Sequence, residues 1–237
     1  MEPYRFVYLL LVGAAFLIWL VIFLLRKDLR KEVLTMSALV GVLGVSQILW
    51  VGRYWRPEYA FPIGSLPIGL EDILLAAFLY GGVGSVLWQF VADQRYICRP
   101  AYMKNPLRNT RILAFLSGPS VFIVLEAIGR WNIVYTSTIA LLIPAALLCI
   151  LRPAYTRAVV ANGLLLGALS LVLLAGAEAL FPGFIAHTWN LPVLSGWVLL
   201  GVPIEEPIFH FAAGTCFAVA YECLFNCQPV RVAYARS

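Results

Sequence analysis

The chain alternates long apolar runs with short polar links. Seven runs approach or reach the roughly 20 residues that a membrane-spanning helix needs: Tyr4–Leu25, Val33–Val51, Leu70–Val91, Ile112–Ile128, Ile133–Leu151, Ala158–Leu180 and Ile204–Phe225. An eighth apolar stretch, Leu191–Val202, is short and broken by Pro192, Gly196 and Gly201. It is expected to form a re-entrant or interfacial approach to the last helix. The reading is an all-α integral membrane protein with seven transmembrane helices.

Composition agrees. Of 237 residues, 62% are hydrophobic and 12% charged, with a mean hydropathy of +0.89. A soluble domain carries about half apolar and about a quarter charged residues.

Charge then orients the helices. With seven spans, 13 of the 17 Lys and Arg residues fall on one face, in the links that begin at Arg26, Arg95 and Arg152 and in the C-terminal tail. Only Arg5, Arg53, Arg56 and Arg130 fall on the other. Positive charge gathers in the cytoplasm, so the N-terminus is expected outside, the C-terminus inside, and the protein multi-pass in the cell (inner) membrane. The net charge of +5 reflects that topology and does not imply nucleic-acid binding. The first run follows Glu2 and a single Arg5, and at spanning length it reads as a helix rather than a cleaved signal. Five cysteines form no disulfide or metal framework, although Cys223 and Cys227 are expected four apart on one helical face.

The chain also repeats itself. Shifted by 134, LEDILLAAF (70–78) falls on IEEPIFHFA (204–212), so Glu71 lands on Glu205 and Asp72 on Glu206. The basic turn RKDLRKE (26–32) likewise corresponds to RPAYTR (152–157). Helices 1–3 therefore resemble helices 5–7 as parallel repeats, with helix 4 linking them. The expected boundaries are 1–95 for the first repeat, 96–130 for the linker and fourth helix, and 131–237 for the second. Parallel repeats of this kind place a site at their interface.

Six carboxylates, Glu71, Asp72, Glu126, Glu178, Glu205 and Glu206, lie within apolar runs, all near the outer ends of their helices. An intramembrane acid costs roughly 3 kcal/mol on insertion scales, so it needs a reason. Helix capping offers one, because acids and proline suit a first helical turn. Convergence of six acids at one level suggests a second, a functional site. Glu205 and Glu206 point about 100° apart, so one is expected to face the bundle interior and the other a neighbouring helix or a partner.

The segment PIEEPIF (203–209), opening the last helix of a three-helix repeat, resembles the membrane-integral lycopene cyclase domain, with PIGLED (67–72) as a weaker copy. The first copy departs by the intervening Gly69-Leu70 and by Asp72 in place of Glu. Pro207 and His210 stand where the pattern is more apolar. The resemblance implies a carotenoid cyclase of intramolecular lyase or isomerase type. Lycopene is protonated at a terminal double bond, the tertiary cation is attacked by the neighbouring double bond, and a proton is lost without net redox. That chemistry needs a protonated carboxylic acid, a carboxylate base and aromatic faces. The resemblance implies Glu205 or Glu206, with Glu71 or Asp72, as acid and base. Phe209, Phe211, His210, Trp197, Trp189 and Phe78 are candidate substrate-binding residues. A lipid-dissolved carotenoid and membrane lipids are the expected partners, with other pathway enzymes or a second copy as further ones.

No cofactor is expected, since GGVG (81–84) lies inside a helix without the spacing of a dinucleotide loop. Two alternatives share the motif. EEPIFH faintly resembles the Glu-Glu-x-x-x-Arg of CAAX-type intramembrane proteases, but His187 and His210 are the only histidines available to a metal. A non-catalytic carotenoid-binding or assembly subunit would keep the fold alone. A retinal Schiff base is excluded in the last helix, which has no lysine.

Overall fold

The computed structural model describes residues 4–98, 106–129, 131–218, 220–225 and 227–231. Arg99, Lys104, Arg130 and Arg236, counted above in assigning charge to faces, lie outside the described residues. Seven helices dominate: α1 (Val7–Leu25), α2 (Arg30–Leu43), α3 (Leu70–Val91), α4 (Pro106–Ile128), α5 (Ile133–Leu151), α6 (Thr156–Leu180) and α7 (Glu205–Phe217). The chain is a mostly helical, multi-pass membrane protein.

Five segments are long and apolar enough to cross a bilayer among the described residues: Val7–Leu25, Lys27–Leu49, Leu70–Val91, Ile133–Leu151 and Pro153–Leu180. The other two expected spans are shorter. The apolar part of α4 is Ile112–Ile128, and α7 has 13 residues before a separate helical turn at Ala220–Phe225. At 1.5 Å per residue, 13 residues reach about 20 Å, against a hydrocarbon core of about 30 Å. The spanning helices are apolar nearly all round, as lipid contact requires. In α1, Tyr8, Val12, Ala15 and Ile22 are buried in the bundle while Leu10, Leu17, Val21 and Leu24 are exposed.

Short strands qualify the all-α expectation. β1 (Gln94–Cys98) pairs antiparallel with β4 (Cys227–Arg231), joining the end of α3 to the C-terminal segment. Leu191–Val202 is neither helix nor simple loop. Leu191–Val193 forms one 3₁₀ turn, then β2 (Val198–Leu199) and β3 (Val202–Pro203) close a hairpin through Leu200 and Gly201, both at positive φ. Such a turn matches the strand twist. Cys223 and Cys227 do not share a helical face, since the helix stops at Phe225 and Cys227 opens β4.

Glycines let the helices pack closely, and they do so alike in the two halves. A Cβ on Gly41 of α2 would meet Ala77 at 3.1 Å and come near the Ile73 carbonyl of α3. One on Gly167 of α6 would meet the Pro207 carbonyl of α7 at 2.8 Å and Phe211 at 3.4 Å. Pro207 and Phe211 are the residues that a shift of 134 assigns to Ile73 and Ala77. Gly81 and Gly82 of the GGVG stretch sit against Met36, Ser37 and Trp19, so they serve helix packing. Buried polar groups lock the bundle further. Asn162 of α6 donates to the carbonyls of Gly84 and Gly214 and accepts from Trp88 N–H, while Gln89 donates to Glu32.

The core has two main layers. One centres on Ile22, Met36, Val83, Leu166 and Phe217. The other centres on Tyr8, Trp50, Tyr54, Trp55, Phe184 and Trp189, at the end where the acids sit.

Candidate functional site

Helices α3 and α7 both start at the acidic end, and each begins with two buried carboxylates. In each pair the first residue ties down the loop that precedes its helix. Glu71 Oε1 accepts from the backbone N–H groups of Ala60 and Phe61 at 2.7 and 3.0 Å. Glu205 Oε1 accepts from Ser195 N–H at 2.7 Å and from the Tyr135 hydroxyl at 2.7 Å.

The second residue of each pair faces inward. Asp72 Oδ1 accepts from the Tyr8 hydroxyl of α1 at 2.7 Å, and Oδ2 accepts from Gly69 N–H at 3.0 Å. Glu206 Oε1 accepts from the Tyr54 hydroxyl and from the Trp189 indole at 2.6 Å. Donors from neighbouring elements thus hold both carboxyls in place. Burial, and then the Glu206 carboxylate beside it, hold the Tyr54 phenol well above the ordinary tyrosine range, so it stays a donor.

Asp72 and Glu206 line two adjoining cavities. The larger, about 340 Å³, lies among α2, α3, α4, α5 and α7, and Asp72 is its acid. The smaller, about 70 Å³, is lined by Glu206 and His210. Tyr8, Gln47, Trp50, Leu75, Tyr80 and Phe209 line both. Leu43 and Leu49, which line the larger, are also exposed on the outside of the bundle. The wall is aromatic: Phe209 meets Trp50 edge-on at 5.1 Å and Tyr80 at 6.1 Å between ring centres. Tyr80 reaches this wall from a π-helical stretch, Ala76–Val83, whose wide turns rotate later residues of α3 relative to Asp72. Such turns are frequent at functional sites.

The remaining expected residues are placed as follows. Phe209 and His210 line the cavities. Trp189 holds Glu206. Phe78 packs on Phe16 and Trp19 of α1, and Phe211 lies against Gly163 and Gly167 of α6. Trp197 is 75% exposed, next to the hairpin. Glu126 bonds Arg53 and the Thr136 hydroxyl, each at 2.7 Å, and Glu178 accepts from Gly183 and Ile185 N–H. His210 is engaged at both nitrogens by Tyr80 and the Glu206 carbonyl, and His187 pairs with Glu58. Among the described residues, no three His, Cys, Asp or Glu side chains form a metal-binding group.

Tyr8, Tyr54 and Tyr80 escaped the sequence reading. A tyrosine in an apolar run, as Tyr8 and Tyr80 are, or in the link beyond one, as Tyr54 is, looks like packing or an interfacial anchor, and only the tertiary arrangement reveals its carboxylate or imidazole partner.

Residues 132–224, from the start of α5 to the helical turn after α7, match the family model for lycopene cyclase. The match supports a lycopene cyclase domain over this part of the chain. No curated protein matches the chain, and no solved structure does.

Proposed function

We propose, taking that domain as the premise, that the chain is a carotenoid cyclase that closes an ionone-type end ring by acid–base chemistry inside the membrane. The family supports cyclase activity. The single observation that carries the mechanism is the placement of Asp72 and Glu206. Each comes from the start of a corresponding helix, and they face adjoining cavities with a shared aromatic wall.

In this reading the end group of a lipid-dissolved polyene enters the larger cavity from the side. One carboxyl, as the acid, gives its proton to the terminal double bond. The tertiary cation that results is attacked by the neighbouring double bond, forming the ring's carbon–carbon bond. The other carboxyl removes a ring proton and restores a double bond. One proton is gained and one lost, so the product is an isomer of the substrate and no electron carrier is needed. Trp50 and Phe209 offer π faces to the cation. Glu71 and Glu205 hold the loops over the site and do not touch the reacting atoms. The topology that fits is two parallel three-helix repeats joined by α4, seven spans in all, with the N-terminus outside.

The test is expression in a bacterium that accumulates lycopene, with extracted pigments separated by chromatography and identified by absorption. Monocyclic or bicyclic carotene at lycopene's expense is the expected result, and its spectrum identifies the ring. Unchanged lycopene with the protein present in the membrane would overturn the reading in favour of a carotenoid-binding subunit.

A further inference from the structure

Tyr80 and His210 form a hydrogen bond between α3 and α7 whose direction can be worked out. His210 Nδ1 lies 2.8 Å from the Glu206 backbone carbonyl, and Nε2 lies 3.0 Å from the Tyr80 hydroxyl. A backbone carbonyl only accepts, so Nδ1 carries the ring proton. In the neutral imidazole Nε2 is then an acceptor, and the Tyr80 hydroxyl must donate to it. The Glu206 carboxylate, with Oε2 3.6 Å from Nδ1, also favours a proton there.

The consequence falls on the cavity. Tyr80 lines both chambers, and a hydroxyl whose proton is committed to His210 can offer only oxygen lone pairs to an end group beside it. A hydroxyl free to rotate could instead turn its positive end toward the cavity, and that would oppose a carbocation. The polar groups around the pair include Asp72, Ser46 and Ser137 at the larger cavity, Glu206, Tyr54 and Ser170 at the smaller, and Tyr8 and Gln47 at both.

We propose that His210 is a positioning residue that acts through Tyr80, fixing its hydroxyl so that the oxygen faces the cation formed during ring closure. The proposal rests on the cyclase reading. His210 stands where the motif is otherwise more apolar, so this device belongs to this chain's own residues.

Two measurements test it, and the first needs no turnover. The chain has two histidines, so ¹⁵N-histidine spectra of the labelled protein contain two rings, assigned with His187→Gln. The expected result is an Nδ1–H tautomer for His210, with an Nε2 signal that shifts in Tyr80→Phe. An Nε2–H tautomer, a doubly protonated ring at neutral pH, or an Nε2 signal indifferent to Tyr80→Phe overturns the proposal. The second measurement is kinetic. Tyr80→Phe and His210→Asn should each lower kcat about tenfold, the scale of one net hydrogen bond, with KM little changed. The double variant should be no slower than the slower single one, because both changes remove the same interaction. Losses that multiply, or unchanged kcat in His210→Asn, overturn it. A wild-type chain that cyclises no carotenoid defeats the cyclase reading instead, and the ring spectra then decide the Tyr80–His210 arrangement by themselves.

Discussion

Trp55 and Trp189 meet across a self-complementary backbone exchange. Arg56 N–H donates to Thr188 O at 2.7 Å, and Asn190 N–H donates to Tyr54 O at 2.9 Å. The two tryptophans stand 134 positions apart, the interval that also separates Asp72 from Glu206. A contact in which each residue meets its own counterpart is what a two-fold axis produces. Both indoles lie beside the carboxyls. Trp189 bonds Glu206, and Trp55 packs edge-on against Tyr8, the donor to Asp72.

Removing the inward carboxyls should separate chemistry from folding. Asp72→Asn and Glu206→Gln are each expected to lower cyclised product by at least about 100-fold, the low end for acid–base groups. Glu71→Gln and Glu205→Gln should cost less product and more stability, since each loosens a loop. Pigment analysis with immunoblots of membrane-inserted protein distinguishes the two patterns. Equal loss of product in all four variants would contradict the division.

The donors to Glu206 are expected to act through position rather than contact area. Trp189→Phe keeps an aromatic ring but loses the indole N–H, so stability should drop by about 1 kcal/mol and turnover should fall. Trp197→Ala, by contrast, should leave turnover unchanged, since Trp197 is exposed away from the cavities. Thermal unfolding in detergent and the carotenoid assay read the two quantities.

Alkaline pH should weaken the fold through the tyrosines of the loop between α2 and α3. Burial first, and then Glu206, raise the Tyr54 phenol in the folded state, while burial and Asp72 raise Tyr59. A raised folded value means that their stabilisation is fully present below the ordinary value near 10 and is lost as pH climbs above it. Melting temperatures measured from neutral to strongly alkaline pH should fall beyond that point. Tyr54→Phe should flatten the fall.

Helix packing gives a position-specific contrast. An alanine Cβ at Gly81 would collide with the Met36 carbonyl and the Ser37 backbone, so Gly81→Ala must push α2 from α3. It should cost about 1–3 kcal/mol, as overpacking does. Gly13→Ala, where nothing lies within 4 Å, should be neutral. Denaturant unfolding of the two variants side by side makes the comparison.

The ion pair between Arg53 and Glu126 should matter little. At 2.7 Å its geometry is good, but the Arg53 side chain is 47% exposed, and such pairs contribute at most about 1 kcal/mol. Arg53→Ala should melt within a few degrees of wild type.

Much of this arrangement was legible from the residues. Five of the seven expected spanning runs and the acids at one end follow from hydropathy and spacing alone. That Glu205 and Glu206 diverge follows from helix geometry too, but which member of each pair turns inward does not. Glu71 and Glu205 look like their neighbours in sequence, and only the loops folded over them show that they accept backbone N–H groups. The hairpin at 198–203 was hidden because apolar residues carried on strands look the same as a short helical run. The π-helical stretch in α3 has no sequence signal either, yet it carries Tyr80 to the cavity wall.

On the cyclase reading, a cavity lined in part by the outward-exposed Leu43 and Leu49 changes what concentration means for this protein. A hydrocarbon that reaches Asp72 through the bilayer is dissolved in lipid, so its activity is set by moles per mole of lipid. Diluting a vesicle suspension with buffer should leave the rate per protein unchanged. Fusing the same vesicles with empty ones should lower it, and kinetic constants for this chain then belong to a surface rather than to a volume.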